Sequence, residues 1–348
     1  MMKVLRILLT VDPELPVPPK LYGGIERIVA GLVGELRSRG HLVGLVAHGD
    51  STCPVERLYS WPCLKPQTSL AHTRNLWTLL RAASDFQADL VHSFSRLGYL
   101  LPLLPRRLPK VMSYQRSTGG RQIVWGTRLG GRTLRFTGCS QFIADMGARS
   151  GGRWDAIPNF VELAKFDFQP IVLREAPLVF LSRVERIKGT HVAIAVAKRT
   201  RRRLLIAGNH GETGEEGRYW ETEILPHLGK NGIEYVGPVD DVQKNKLLGL
   251  AGAMIVPIEW DEPFGIVFIE AMACGTPVIS CPRGALPEIV RDHIDGFLTS
   301  TVDEACAAIL RLPAIDRREC RRRVELNFSA SLIATQYEAL YRDLENSC

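Results

Sequence analysis

Between Glu262 and Ile279 the chain reads EPFGIVFIEAMACGTPVI, and no other stretch limits the fold as strongly. The apolar run Ala253 to Val256 precedes it and Pro277 to Ile279 closes it, so the order is strand, loop, buried helix, strand. That order belongs to a parallel sheet covered by helices. The Pro-Phe-Gly turn opens the helix, and Glu270 is the one charged residue within it. A buried carboxylate requires a partner, and this helix supplies no cation of its own. Glu270 falls about 7 Å along the axis from the helix start, while Glu262 stands ahead of the N-terminus. Between them lie the amides of Phe264, Gly265 and Ile266, at the end of a helix that favours anionic atoms. Two carboxylates flanking such a mouth suit an elongated anion with hydroxyls at both ends. The plainer alternative is that Glu270 offsets the helix dipole and Glu262 is a solvated loop residue.

The rest of the chain repeats the strand, loop and helix theme. Val4 to Val11 reads as a first strand, followed by a proline-rich loop and Tyr22-Gly23-Gly24; Ile25, Ile28, Val29, Leu32, Val33 and Leu36 then recur at helical spacing. Leu42 to Ala47 is a second strand, Leu70 to Phe86 a helix, and Asp89 to His92 a short strand whose C-terminal end carries His92. In open parallel sheets that end lines the ligand crevice, although a lone histidine is more often a structural hydrogen-bonder. Lys110 to Tyr114 leads into the polar, basic loop Gln115 to Arg121. In the second half, Ala176 to Ser182 ends at Arg183, and Lys188 stands where the next helix begins at Gly189. Two cations and free amides converging on one place form an anion trap. Two further strands end at Gly208 and Gly237; the first is followed by Asn209 to Gly217, read as a solvated loop, and the second by the short turn Pro238-Val239-Asp240.

These motifs have a family likeness. EPFG…EAMACGTPVI resembles the E-x7-E signature of the retaining GT-B glycosyltransferases of the group-1 or family 4 kind. YGGIERIV resembles the glycine loop near their N-terminus, Arg183 to Gly189 their R-x4-K-G, and Ala156 to Glu162 the passage between their domains. DLVHSF resembles D-hydrophobic-hydrophobic-H-x-H, with Phe94 where a second histidine often stands. The resemblance implies an α/β GT-B fold: two Rossmann-like domains facing a central crevice, residues 1–165 with a returning helix at 329–348, and residues 166–328. It implies transfer of a sugar from a nucleotide-sugar to an acceptor, with retention of anomeric configuration. Arg183 and Lys188 would grip the diphosphate with the amides of Gly23 and Gly24, and Glu270 would hold the ribose. Glu262 with the amides of Phe264, Gly265 and Ile266 would hold the sugar, and Gly208 and Val239 would line the donor site. His92 would contact sugar or acceptor, a saccharide, lipid-linked or small molecule, and the Gln115 to Arg121 loop would lie on the acceptor side. No cofactor is expected beyond the donor, and no metal, since no Asp-x-Asp occurs. A GT-B-shaped epimerase or phosphorylase, or a non-catalytic nucleotide-binding scaffold, remains open.

Composition narrows the remainder. At 348 residues two domains are expected, and 45% apolar with 23% charged content is that of an ordinary globular chain. The first apolar piece is too short for a span or a signal, which gives the expectation of a cytoplasmic protein. Eight cysteines contain no C-x-x-C pair, so neither a zinc site nor a disulfide framework is expected. A formal charge of +7 resides in three clusters, Arg106 to Lys110, Lys198 to Arg203 and Arg317 to Arg323. They read as solvated faces or as contacts to an anionic membrane, for which Leu100 to Pro109 offers an interfacial segment; nucleic acid is not expected.

Overall fold

The computed structural model describes residues 3–20, 23–117 and 120–347. Tyr22 of the glycine loop, Thr118 and Gly119 of the Gln115 to Arg121 loop, and Cys348 lie outside the described residues. The chain divides into two compact units, Met1–Phe160 with Ala330–Cys348, and Val161–Ser329.

The first unit holds strands β1 (Arg6–Thr10), β2 (Leu42–Ala47), β3 (Arg57–Ser60), β4 (Leu90–Ser93), β5 (Lys110–Tyr114), β6 (Leu134–Gly138) and β7 (Trp154–Ala156). They form one parallel sheet in the order β3-β2-β1-β4-β5-β6-β7. β4 and β5 are buried along their whole length, as strands covered on both faces must be. The short outer strands β3 and β7 were not foreseen. The helix Gly24–Ser38 buries Ile28, Val29, Leu32, Val33 and Leu36, the stripe read from the sequence. Ser140 caps the helix Gln141–Ala148 by accepting from the Ile143 amide at 3.2 Å.

The last helix, Ala330–Ser347, completes this unit and buries Tyr337, Leu340, Tyr341 and Leu344. Glu338 fixes it at one side, 2.5 Å from Arg39 Nη1 and 2.9 Å from His41 Nε2. His41 Nδ1 accepts from the Leu5 amide at 3.1 Å, so Nε2 carries the proton and donates to Glu338.

The second unit holds β8 (Leu178–Leu181), β9 (Leu204–Ala207), β10 (Ile233–Gly237), β11 (Ala253–Val256), β12 (Val278–Ser280) and β13 (Gly296–Leu298), parallel in the order β10-β9-β8-β11-β12-β13. The strand order reverses between β8 and β11, which marks the switch point where such sheets open a ligand crevice at the strands' C-terminal ends.

Three expectations are corrected by packing. The leucines of Leu100 to Pro109 are mostly core: Leu100, Leu103 and Leu104 are buried and only Leu101 is presented to solvent. Lys110 is fully buried and donates to the carbonyls of Leu103, Leu104 and Arg106, so it closes that turn from inside. The Arg317 to Arg323 cluster is largely internal too. Arg317 donates to the carbonyls of Gln169 and Ala251, Arg321 to those of Phe166 and Ala273, and Arg323 to that of Glu288. These cations satisfy backbone oxygens, and it is the burial of Leu100, Leu103 and Leu104 that leaves the interfacial reading of Leu100 to Pro109 without its apolar face. Finally, the Asn209 to Gly217 loop is helical from Gly214, and His210 stacks on Trp220 with ring centroids 3.9 Å apart.

Among the described residues, no helix is long and apolar enough to cross a membrane. Cys274 is buried at the end of the helix Ile266–Ala273, and burial pushes its thiol up to about 12, the behaviour of a small core residue.

Candidate functional site

The site grows from the ends of β8 and β11. After β8 the chain makes a single turn, Arg186–Lys188, passes through Gly189 at φ 75°, and starts the helix Thr190–Thr200. After β11 it runs through Pro257 and Glu259 to Glu262. The Glu259 amide donates to the Ile187 carbonyl at 2.8 Å, tying one loop to the other. Gly189 permits the approach, since a Cβ there would lie 2.0 Å from the Pro257 carbonyl oxygen.

Lys188 and Glu262 are brought together by this stitching. Lys188 Nζ donates to Glu262 Oε2 at 2.6 Å and lies 4.6 Å from the centre of the Trp260 ring, whose Nε1 donates to the same carboxylate oxygen at 3.0 Å. Both charged residues are buried, at 8% and 9% exposure. The Glu262 backbone is held from below by the turn at Gly284: the Ala285 amide donates to the Glu262 carbonyl at 2.9 Å, and a Cβ on Gly284 would lie 2.3 Å from that carbonyl oxygen. Trp260 was not anticipated. Its proximity in sequence to Glu262 is a signal, but only the fold shows that its ring covers the lysine.

Beyond Glu262, Phe264 is buried and Gly265 precedes the helix Ile266–Ala273, which has no side-chain cap. The Phe268 amide turns back to the Gly265 carbonyl at 3.1 Å, and the Ile266 amide ahead of it faces water or a ligand. Glu270 lies in the second turn at 7% exposure, and its partner is Lys244, whose Nζ is 2.5 Å from Glu270 Oε1. Lys244 comes from the neighbouring helix Asp241–Leu250, which is begun by a capping box between Asp240 and Gln243. The cation that the sequence did not show is thus supplied by the preceding helix, and Lys244 is the main residue that sequence reasoning missed.

The other expected residues are placed as follows. Arg183 follows β8, half exposed, in an ion pair with Glu185. The anion trap is only partly open, because the His191 amide in the first helical turn already donates to the Tyr219 hydroxyl at 3.1 Å. Gly208 ends β9 with its amide bonded to the Gly237 carbonyl at 3.0 Å, so the residue contributes shape and not a free donor. Val239 is half-buried in the turn before the Lys244 helix.

Three expected residues belong to the first unit. Gly23 and Gly24 open the helix Gly24–Ser38 without a side-chain cap. Glu26 in its first turn is buried, and burial, with Asp12 and Glu14 nearby, holds its carboxyl above the ordinary range. A bound anion there meets carboxylates as well as amides. His92 is fully buried on β4: Nδ1 lies 2.6 Å from the Tyr341 hydroxyl and Nε2 2.6 Å from Ser113 Oγ, which in turn lies 2.6 Å from Thr137 Oγ1. Burial depresses the imidazole to about 3. Both nitrogens are engaged and the ring is closed to solvent, so the expectation of a contact to sugar or acceptor gives way to a structural role, joining β4 and β5 to the last helix.

Comparisons with known proteins bear on the family and the fold. The family model for Glycosyl transferases group 1 matches residues 164–325, and that for Glycosyltransferase Family 4 matches residues 22–165. Glycogen synthase of Mycobacterium tuberculosis (strain CDC 1551 / Oshkosh) is 30% identical over 200 residues, 53% of this chain and 47% of that protein. The chain thus spans about half the length of that curated relative. Among solved structures, AviGT4, a glycosyltransferase involved in avilamycin A biosynthesis, superposes with a TM-score of 0.74 at 26% identity, covering 99% of both chains. Anabaena Alr3699/HepE, solved with UDP and glucose, has a TM-score of 0.75 at 19% identity over 97% of this chain and all of its own, a likeness of fold. The two Rossmann-like sheets are those of the GT-B fold.

Proposed function

Because the chain belongs to the group 1, family 4 type of glycosyltransferase, we propose that it transfers a sugar from a nucleoside-diphosphate donor to a hydroxyl acceptor with retention of anomeric configuration. The observation that carries this reading is the buried Lys188–Glu262 pair, held beside the uncapped helix Ile266–Ala273 at the sheet's switch point. A diphosphate entering there draws Lys188 as counter-ion, and Arg183, half exposed on the same strand end, can swing to a second phosphate. Glu262, bonded to Lys188 and Trp260 through one oxygen, keeps the other for sugar hydroxyls. Glu270 is arranged likewise, with Oε1 on Lys244 and Oε2 left for the ribose.

Chemically, the bond between the anomeric carbon and the phosphate oxygen breaks, and the nucleoside diphosphate leaves with the electron pair. The acceptor oxygen bonds to that carbon on the same face, and its proton passes to the departing phosphate. Lys188 and the helix start meet the charge that develops on the leaving group, and Glu262 faces the positive charge on the ring. Incubation with a panel of nucleotide-sugars and acceptors, followed by NMR of the product, tests the reading. Retention of the donor's anomeric coupling is expected, and an inverted product overturns it.

A further inference from the structure

Trp260 stands two residues before Glu262 and touches both members of the buried ion pair at once. Its indole Nε1 donates to Glu262 Oε2 at 3.0 Å, and its ring centre lies 4.6 Å from Lys188 Nζ, which bonds to the same oxygen at 2.6 Å. The backbone carrying the ring is pinned on both sides. The Glu259 amide donates to the Ile187 carbonyl at 2.8 Å, next to Lys188, and the Ala285 amide donates to the Glu262 carbonyl at 2.9 Å. Ile258, just ahead of this segment, is buried. The indole is therefore held by the fold as well as by the pair it touches.

The two contacts differ in kind. The Lys188 ammonium carries three protons, and among the described residues Glu262 Oε2 is its one hydrogen-bond acceptor. Its other neighbour is an aromatic face, which attracts the charge without fixing the direction of any proton. Lys188 can thus turn its protons from the carboxylate to a phosphate oxygen while the ring still attracts it. Glu262 loses its cation at that moment, but the indole N–H stays on Oε2. A neutral donor holds the carboxylate in place and leaves it its full negative charge, whereas a second cation there would cancel the charge that the sugar's ring carbon needs.

Resting on the glycosyltransferase reading, we infer that Trp260 is a positioning residue that lets Lys188 pass from Glu262 to the donor's diphosphate and keeps Glu262 Oε1 aimed at the sugar once the lysine has gone. As long as Lys188 bonds to Oε2, the carboxylate is neutralised. Its charge becomes available to the sugar only when a diphosphate has drawn the lysine away, so the group that favours cleavage is switched on by the part of the donor that leaves.

The test uses the full chain with two replacements of Trp260. Trp260→Phe keeps an aromatic face and lacks the N–H; benzothienylalanine at the same position keeps the whole bicyclic shape with sulfur in place of the N–H, and it carries the test if the Phe variant melts early. UDP, GDP and ADP are titrated by calorimetry, and turnover is measured with the matching nucleotide-sugars and a panel of acceptors. Both replacements should bind the preferred nucleoside diphosphate within about twofold of the wild type while kcat falls at least about fivefold. In the wild type, that nucleotide should also perturb indole absorption at its red edge, where the nucleotide is transparent, as Lys188 turns away from Glu262; the signal should be missing from Trp260→Phe. A sulfur isostere with wild-type kcat would reduce Trp260 to packing and overturn the inference. So would a nucleotide affinity that falls as far as kcat, an indole signal that persists in Trp260→Phe, or nucleotide binding to the wild type without any signal. Nucleotide binding with the expected signal but no transfer from any donor strikes the glycosyltransferase reading and leaves the movement of Lys188 standing, whereas failure to bind all three nucleotides overturns both.

Discussion

Lys188 Nζ and Glu262 Oε2 lie 2.6 Å apart, although 74 residues separate them in the chain. Each is the other's counter-charge in a buried place, so removing one strands the other. A buried pair broken on one side costs about 3 to 5 kcal/mol. Lys188→Met and Glu262→Gln should each lower the thermal midpoint, and the double variant should lose clearly less than the sum. Additive losses would mean that the two side chains do not sense one another. In turnover, Lys188→Ala should lose at least about tenfold, equivalent to about 1.4 kcal/mol of transition-state stabilisation.

Glu270→Ala should weaken nucleoside diphosphate binding by about 1.5 to 3 kcal/mol, the worth of hydrogen bonds to a charged acceptor. Lys244→Met should also weaken it, because Lys244 fixes the carboxylate through Oε1. Lys244→Arg should restore part of the loss, and calorimetry giving all three variants wild-type affinity would detach this pair from the nucleotide.

Turnover should survive EDTA. The charge of the leaving diphosphate is assigned to Lys188, Arg183 and the opening amides of the helix Ile266–Ala273, in place of a divalent ion. A chelator-induced loss restored by magnesium or manganese would reassign that task.

His92 predicts a stability slope with pH. Its folded value of about 3 lies below the ordinary 6.5, so the unfolded chain binds the extra proton between these values. The contribution of the neutral buried ring is complete above about pH 6.5 and declines as pH falls towards 3, by up to about 1.4 kcal/mol per pH unit. Urea titrations should show this slope reduced in His92→Phe relative to the wild type. Equal slopes would place the titrating group elsewhere.

Legibility in the sequence followed contiguity. Glu262, Phe264, Gly265 and Glu270 lie within nine positions of one another, and Arg183 and Lys188 within six, so strand ends and helix starts were readable as local pattern. Lys244 was not, because its meeting with Glu270 depends on how one helix packs beside another. Lys110 and Arg317 were misread for a related reason: a count of charges does not reveal the buried carbonyls that attract them. His92 was placed correctly on its strand, but whether its ring faces solvent or the last helix is decided by Tyr341, 249 residues further on.

That distance between His92 and Tyr341 has a bearing on how the protein is made. The strands of the first unit are synthesised early, yet the helix that covers β4 and β5 is translated only after residues 161–329. The second unit is continuous in sequence and can fold while its neighbour still exposes the apolar ground that Tyr337, Tyr341 and Leu344 will occupy. During that interval the nascent chain carries an adhesive surface, and a stalled or prematurely terminated product is the form most prone to aggregate or to engage a chaperone.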